Sequence, residues 1–357
     1  MRDADLATLL EVLCGVPAPS GFESPLLDEF IERWGNDVQR DGLGNLLLRV
    51  GGSGPRTLIH AHADQVSYVV RSITDDGFLM LDNGQGARGT RPELRWPVGQ
   101  GARVVTRSGE IIEGVFAAAS GHVAHGALGP QDGPDLLWPT FWIDLGAESR
   151  AAVLRSGIHV GAQVLYRAEF RKLGEHRVAG CAMDDRVAIA VMEALRADLD
   201  LDALECELWF AITVQEENGL HGAQAVAAHD GFARVLGLEV GLVGDVPGID
   251  DQEHPARLGA GPILVHKDSM VHYDRGIGLQ IHAAAEAHGI PLQDAVFSSY
   301  ASDGRAFIDA GSPAGLIAVP TRYTHTAFET VDLRDVRATV DLMRAIVERS
   351  GTEPTEL

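Results

Sequence analysis

The first part of the chain changes from a helical to a strand-like spacing of apolar residues. A helix face is predicted by four leucines at Leu6, Leu9, Leu10 and Leu13. A proline-rich break follows, and Ser20 with Glu23 predicts a capping box for a second helix. Apolar runs at residues 45–50 and 57–60, separated by a glycine-rich turn, predict two strands of a buried sheet.

The pattern changes again between residues 72 and 168. Short segments in which apolar and polar residues alternate are punctuated here by closely spaced glycines and prolines. These segments are residues 78–81, 102–106, 111–116 and 141–143. Short alternating segments separated by closely spaced turn residues are typical of an all-β module.

Long helical patterns return after Phe170 and alternate with apolar strands. The helical patterns are residues 185–195, 220–228, 276–288 and 332–349. The strand patterns are residues 207–214, 234–243, 295–298 and 314–319. This alternation predicts an α/β fold, with helices on both faces of a sheet. We therefore expect a discontinuous α/β domain, residues 1–71 and 169–357, interrupted by an inserted β domain at residues 72–168.

Composition narrows the classes of protein that fit this pattern. The chain has 357 residues and a formal net charge of −22, which opposes binding to nucleic acid and to anionic membrane surfaces. The absence of a long apolar run and of a basic leader predicts a cytoplasmic protein. Three isolated cysteines exclude a disulfide framework and a cysteine-rich zinc module. A bound metal would therefore need histidine and carboxylate ligands.

Three clusters of such side chains stand at predicted strand and helix ends. His60, His62 and Asp64 share one face of a buried strand end, as either hydrogen-bonded polar groups or a metal ligand with its orienting carboxylate. Asp184 and Asp185 open a helix, where one would suffice as a cap and a carboxylate could also bridge two ions.

The third cluster is the most informative. Glu216 and Glu217 follow the strongly apolar strand at 207–214, the position at which α/β sheets place their sites. Glu239 lies inside an apolar run, where an unpaired charge is costly. Asp245 has the surroundings of a turn residue, and His325 follows the strand at 314–319. Taken alone, each of these residues could also have a purely structural role.

Read in order, five motifs resemble the tetrahedral aminopeptidase family, which includes glutamyl and deblocking aminopeptidases and members labelled endoglucanase. The motifs are His62-Ala-Asp64, Asp184-Asp185-Arg186, Glu216-Glu217-Asn-Gly219, Asp245-Val-Pro-Gly248 and Arg322-Tyr323-Thr-His325. The resemblance spans nearly the whole chain. It implies a phosphorylase/hydrolase-like catalytic domain with helices on both faces of a mixed sheet, and an inserted small β-barrel or PDZ-like dimerisation domain.

The resemblance also implies a role for each residue. One divalent ion would take His62 and Glu239, a second would take Glu217 and His325, and Asp184 would bridge them. Asp64 would orient His62, and Glu216 would be the general base. The two ions would be zinc, with cobalt or manganese as alternatives. The chain departs from the family at Gln65, where a glutamate is usual, and at Glu239, where an aspartate is usual; Asp245 is the alternative ligand.

The implied reaction is hydrolysis of the N-terminal peptide bond of short peptides by a metal-activated water. Two other functions stay open, namely a metallo-hydrolase of another amide or acyl substrate and a catalytically silent oligomeric scaffold. The resemblance implies a dimer-based homo-oligomer that reaches a dodecamer in some members. No motif in the sequence predicts the preferred N-terminal residue of the substrate, the native metal or the assembly size.

Overall fold

A computed structural model describes residues 2–85, 97–119, 140–229, 231–249, 252 and 254–348 of the chain. Its helices are α1 (Asp3–Gly15), α2 (Ser24–Trp34), α3 (Arg150–Arg155), α4 (Met183–Asp198), α5 (His221–His229), α6 (Arg275–His288), α7 (Gly304–Asp309) and α8 (Leu333–Val347). The last predicted helix extends to Arg349, which lies outside the described residues.

The strands alternate with these helices. They are β1 (Gln39–Arg40), β2 (Leu46–Gly51), β3 (Arg56–His62), β4 (Tyr68–Ile73), β5 (Leu79–Asn83), β6 (Gly101–Val105), β7 (Ile111–Ala118), β8 (Phe141–Asp144), β9 (Gln163–Tyr166), β10 (Arg171–Leu173), β11 (Arg177–Gly180), β12 (Glu207–Thr213), β13 (Arg234–Leu242), β14 (Ile263–Lys267), β15 (Gln293–Val296), β16 (Ala314–Arg322) and β17 (Glu329–Asp332).

One large mixed sheet forms the centre of the molecule. Within the described residues it has 11 strands, in the order β1-β2-β12-β3-β13-β16-β17-β11-β10, with β14 paired to β16 and β15 to β14. The four inner strands β12, β3, β13 and β16 run parallel to one another. The carboxyl ends of these four strands therefore meet at the same edge of the sheet.

Helices cover both faces of this sheet because its inner strands are apolar on both sides. In β16, Ile317 and Val319 pack into one core with residues of α1, α4 and α8. The alternate residues Leu316 and Ala318 pack into a second core with residues of α5 and α7. Side chains of a strand alternate between faces, so each inner strand contributes to both cores.

A second, smaller sheet closes on itself. Its strand order is β4-β5-β8-β7-β6-β9, a closed barrel, and Tyr68, Phe116 and Phe141 lie in its core. The barrel strands run from Tyr68 to Tyr166. The predicted fold class, a mixed α/β sheet with helices on both faces and a small β barrel, is confirmed. The division of the chain into domains at residues 72 and 168 stays a prediction.

No helix in the described ranges is both long and apolar enough to span a bilayer.

A buried arginine side chain connects α4 to the N-terminal segment. The Arg186 side chain is 0% exposed and donates to the carbonyl oxygens of Leu13, Val16 and Ala63 and to Gln65 Oε1. Burial lowers the pKa of its guanidinium, which donates to acceptors in two separate parts of the chain.

We expect Arg186→Met to lower the free energy of unfolding by about 3–5 kcal/mol, because it leaves buried acceptors and nearby carboxylates without their cation. Urea unfolding would measure the change. Arg196→Met, on the same helix but pairing with Glu193 at the partly exposed surface, is the matched control and should cost about 1 kcal/mol or less. Equal losses from the two substitutions would contradict the role of Arg186.

Candidate metal centre

Charged side chains from distant parts of the chain meet at the carboxyl edge of the parallel strands. His62 is the last residue of β3, and Glu216 and Glu217 directly follow the end of β12. His325 lies in the turn after β16. Edges of this kind are where α/β folds place their sites, because loops there can vary while the strands stay fixed.

Asp184 connects the two imidazoles through its two carboxylate oxygens. Oδ1 lies 3.0 Å from His62 Nε2, and Oδ2 lies 3.1 Å from His325 Nε2. The backbone at Asp184 is not helical, with φ −77° and ψ 103°, and the N-cap of α4 is Ala182. The carboxylate therefore faces the two histidines instead of capping the helix.

Each imidazole also has a glutamate of its own within 4 Å. His62 Nε2 lies 3.6 Å from Glu239 Oε1, and His325 Nε2 lies 3.2 Å from Glu217 Oε1. Two ligand atoms that bind one tetrahedral zinc ion at about 2.0–2.1 Å are about 3.3–3.4 Å apart, so these separations are typical of ligand pairs. Glu217 Oε1 is buried and has no hydrogen-bond partner among the described residues. The donor set, with a buried carboxylate oxygen that contacts His325 but forms no hydrogen bond to the described residues, fits two divalent cations.

The electrostatics of the cluster favour positive charge. Burial lowers the pKa of His62, but the surrounding carboxylates, Glu239 first, raise it well above its ordinary value on balance. At His325 burial is likewise outweighed by Glu217 and Asp184. Burial of this many carboxylates is costly unless cations neutralise them.

The structure separates the two candidate ligands Glu239 and Asp245. Glu239 is 4% exposed and faces His62, and burial raises its pKa to about 7 against the effect of that histidine. Asp245 forms a two-fold ion pair with Arg322, at 2.8 Å to Nε and 2.6 Å to Nη2. Asp245 also accepts a hydrogen bond from Leu258 N. Glu239 is thus brought to the cluster, whereas Asp245 is occupied elsewhere.

Asp64 contacts both His62 and the loop that follows β12. Its backbone oxygen is 3.1 Å and its Oδ1 is 3.4 Å from His62 Nδ1, the ring nitrogen that faces away from the cluster. The same carboxylate accepts hydrogen bonds from Glu216 N at 2.8 Å and Glu217 N at 3.1 Å. Asp64 therefore positions both the histidine and the loop after β12.

The predicted capping box at Ser20 and Glu23 is wrong. Ser20 Oγ donates to Asp64 Oδ2 at 2.6 Å, and Glu23 accepts from Gly21 N and Gln215 N. Neither side chain caps α2, which has no side-chain hydrogen bond at its N-cap. The pair matches the sequence pattern of a cap, but long-range acceptors and donors compete successfully for both side chains.

Glu216 stands at the wall of a cavity of about 830 Å³. Polar residues of the lining include His62, Asp184, Glu216, Glu217, Glu239 and His325. Glu216 is 8% exposed, and burial raises the pKa of its carboxyl well above the ordinary value. A carboxyl group of this kind beside a cluster of metal-binding side chains suits proton transfer.

Two acidic residues support the cluster without a predicted role. Asp185 accepts a hydrogen bond from His62 N at 3.3 Å, and its ligand atoms lie close to those of His62 and Glu239. Glu329, on β17, accepts from the backbone N–H groups of both Asp184 and His325. Burial and the charge of Asp184 raise the pKa of Glu329 to about 8. The only sequence signal for Glu329 was an acid within a short polar stretch, which predicts nothing by itself.

Gln65, the departure from the family pattern, points away from the cavity. Its Oε1 lies 3.3 Å from Arg186 Nη2 and 3.4 Å from Ala18 N. The side chain is 4% exposed. Gln65 therefore belongs to the hydrogen bonds that hold α4 to the N-terminal segment, and the substitution leaves the cluster of histidines and carboxylates intact.

His60 does not join the cluster, although it shares a strand face with His62. Its ring stacks obliquely on Phe307 at a centroid distance of 5.0 Å, and burial lowers its pKa to about 3. The ring is therefore neutral and packs as a core side chain. Neither ring nitrogen has a hydrogen-bond partner among the described residues, so His60 is not the hydrogen-bonded strand-end residue that the sequence offered as the alternative to a metal ligand.

Comparison with known proteins gives consistent results across nearly the full length. The family model of M42 glutamyl aminopeptidases matches residues 44–342. The lysyl aminopeptidase of Pyrococcus furiosus is 28% identical over 359 residues, covering 95% of this chain and 96% of that protein. Aminopeptidase APDkam598 from the archaeon Desulfurococcus kamchatkensis superposes with a TM-score of 0.89 at 30% identity, over 98% of this chain and 96% of that one.

A second similar structure carries a description of its assembly. The TET1 peptidase of Pyrococcus horikoshii, which can assemble into a tetrahedron or a large octahedral shell, superposes with a TM-score of 0.85 at 28% identity. The match covers 97% of this chain and 100% of that chain.

Proposed function

Because this chain belongs to the M42 glutamyl aminopeptidase family, we propose that it is a dinuclear metallo-aminopeptidase that removes N-terminal residues from short peptides. The family resemblance found in the sequence is thereby confirmed. The observation that carries the proposal is the position of Asp184, whose two oxygens lie 3.0 and 3.1 Å from the imidazoles of His62 and His325.

Five residues would hold the two ions. His62 and Glu239 would bind one ion, Glu217 and His325 the other, and Asp184 both. Imidazole and carboxylate ligands suit zinc, and cobalt or manganese are alternatives for the same donors. When bound, such a metal pair polarises the scissile carbonyl and lowers the pKa of water. Asp64 would keep the remaining nitrogen of His62 oriented, as outer carboxylates do for metal-binding histidines.

Glu216 would act as general base and then as general acid. It accepts a proton from the water whose oxygen attacks the carbonyl carbon, and it delivers that proton to the nitrogen of the leaving amine as the C–N bond breaks. Its place in the cavity wall beside Glu217 supports this role. A free α-amine on the substrate would be drawn to the surplus of carboxylates at the same edge.

We also propose that the chain forms a homo-oligomer through the β barrel, as dimers that build a larger shell. The Pyrococcus horikoshii relative, which assembles into a tetrahedron or an octahedral shell, supports this. The domain division at residues 72 and 168, the dodecamer and the cytoplasmic location stay predictions.

The proposal is tested on the full chain after removal of metal with a chelator. Adding back zinc, cobalt or manganese should restore hydrolysis of aminoacyl amides that carry a free α-amine, and N-acetylated versions of the same amides should not be cleaved. Hydrolysis of N-acyl amino acids alone would identify a different metallo-hydrolase. Less than one bound ion per chain, with no turnover of either class, would identify a scaffold.

A further inference from the structure

A second group of metal-binding side chains lies at the edge of the large sheet, away from the candidate metal centre. His266 is on β14, Asp294 is on the neighbouring strand β15, and His282 is on α6. Asp294 Oδ1 lies 2.6 Å from His266 Nε2 and 2.8 Å from His282 Nε2. The described lining of the larger cavity includes none of the three residues.

The backbone fixes the positions of these three residues. β14 and β15 are paired in parallel, with Leu264 opposite Asp294, and the register shifts between Val265 and Lys267, so that His266 lies at an irregularity in the paired strands. The Asp274 side chain caps the start of α6, and Ile277 and Ile281 anchor that helix in the core. The convergence of the two imidazoles therefore does not depend on a mobile loop.

The rings themselves are arranged to share one partner. The imidazoles of His266 and His282 lie nearly parallel, 20° apart, with centroids separated by 6.2 Å. Their Nε2 atoms both face the same carboxylate oxygen, and one atom from each of the three side chains lies within 4.8 Å of the others. Three potential ligand atoms from three different elements therefore converge at one point of the surface.

We propose that His266, His282 and Asp294 form a surface site for a divalent transition metal ion of the zinc class. A site of two imidazole nitrogens and one carboxylate oxygen favours zinc, nickel and copper over magnesium and calcium. The side chains are 43–49% exposed, so an ion can enter directly from solvent. The site faces a cavity of about 410 Å³ that His272 also lines, which leaves room for water in the open coordination positions.

The site is tested by zinc binding to the full chain. Equilibrium dialysis against zinc alone, followed by elemental analysis, should give one zinc ion per chain fewer for His282→Gln than for the unaltered protein. His288→Gln, an exposed histidine at the end of the same helix, is the matched control and should lose none. Asp294→Asn should repeat the loss. Equal zinc content in His282→Gln and the control would overturn the proposal.

A measurement on the unaltered chain avoids any effect of substitution on folding. Zinc should protect His266 and His282 from acylation by diethyl pyrocarbonate, as followed by peptide mass spectrometry, while His288 stays reactive. Equal reactivity of His282 with and without zinc would also overturn the site. In a His62→Gln, His325→Gln background, the zinc ion that depends on His282 should persist, so that failure of the candidate metal centre and failure of this site can be told apart.

Discussion

Glu216→Gln should lower kcat by about 10²–10⁴-fold while the chain keeps its metal, because the amide fills the same volume but cannot accept the proton of the attacking water. The substitution leaves the hydrogen bonds of the Glu216 and Glu217 backbone N–H groups to Asp64 in place. The expected signature is therefore a loss of turnover without a loss of bound ions. Steady-state hydrolysis of an aminoacyl amide and elemental analysis on the same sample would measure both.

The matched control makes the same chemical change far from the cavity. Glu32 is an exposed residue on α2, and Glu32→Gln should leave kcat unchanged. If Glu216→Gln retained a near-normal rate, the general base would have to be another group, and the proposed proton path would be wrong. If it lost both rate and metal, Glu216 would be a ligand.

Asp184→Asn should remove at least one ion per chain. It should also lower kcat/KM by more than roughly 100-fold, the loss caused by removing a residue that only hydrogen-bonds to a metal ligand. An amide presents only one oxygen, whereas Asp184 uses Oδ1 toward His62 and Oδ2 toward His325. The remaining amide NH₂ group cannot bind a cation. Zinc content and aminopeptidase rate after reconstitution would report the two effects together.

Asp76→Asn, an exposed aspartate in the turn between β4 and β5, is the control for this change. It should keep the full complement of ions and the full rate. Normal ion content in Asp184→Asn would show that this carboxylate does not bridge, and the assignment of the other four ligands would then need to be revised.

Much of the sheet could be predicted because its inner strands are apolar on both faces. The runs that became β3, β12, β13 and β16 lie within a few residues of the predicted limits. β17 was not predicted, because its sequence, Glu-Thr-Val-Asp, is mostly polar although all four residues are buried. Glu329 accepts from the distant Asp184 N, a contact that no local pattern records. Thr330 Oγ1 donates to Phe328 O, and Asp332 accepts from Arg334, both two residues away in the sequence.

The candidate site could likewise be predicted only in part. The motifs contained His62, Asp184, Glu217 and His325, and the family resemblance added Glu239. The structure brings these five residues together, and their ligand roles stay predictions. Sequence spacing left Asp245 and Glu239 as alternatives, because only the pairing of Asp245 with Arg322 separates them. The group of His266, His282 and Asp294 depends on strand register and helix packing, so it carried no sequence signal at all.

Asp184, at the start of α4, meets residues that are contributed at the ends of β3 and after β16, so the first and last ligands of the cluster are separated by most of the chain. A fragment that begins after His62 or ends before His325 lacks part of the cluster. Under the proposed ligand assignment, ion binding would therefore require global folding, and its free energy would add to the stability of the native state over any partially folded intermediate.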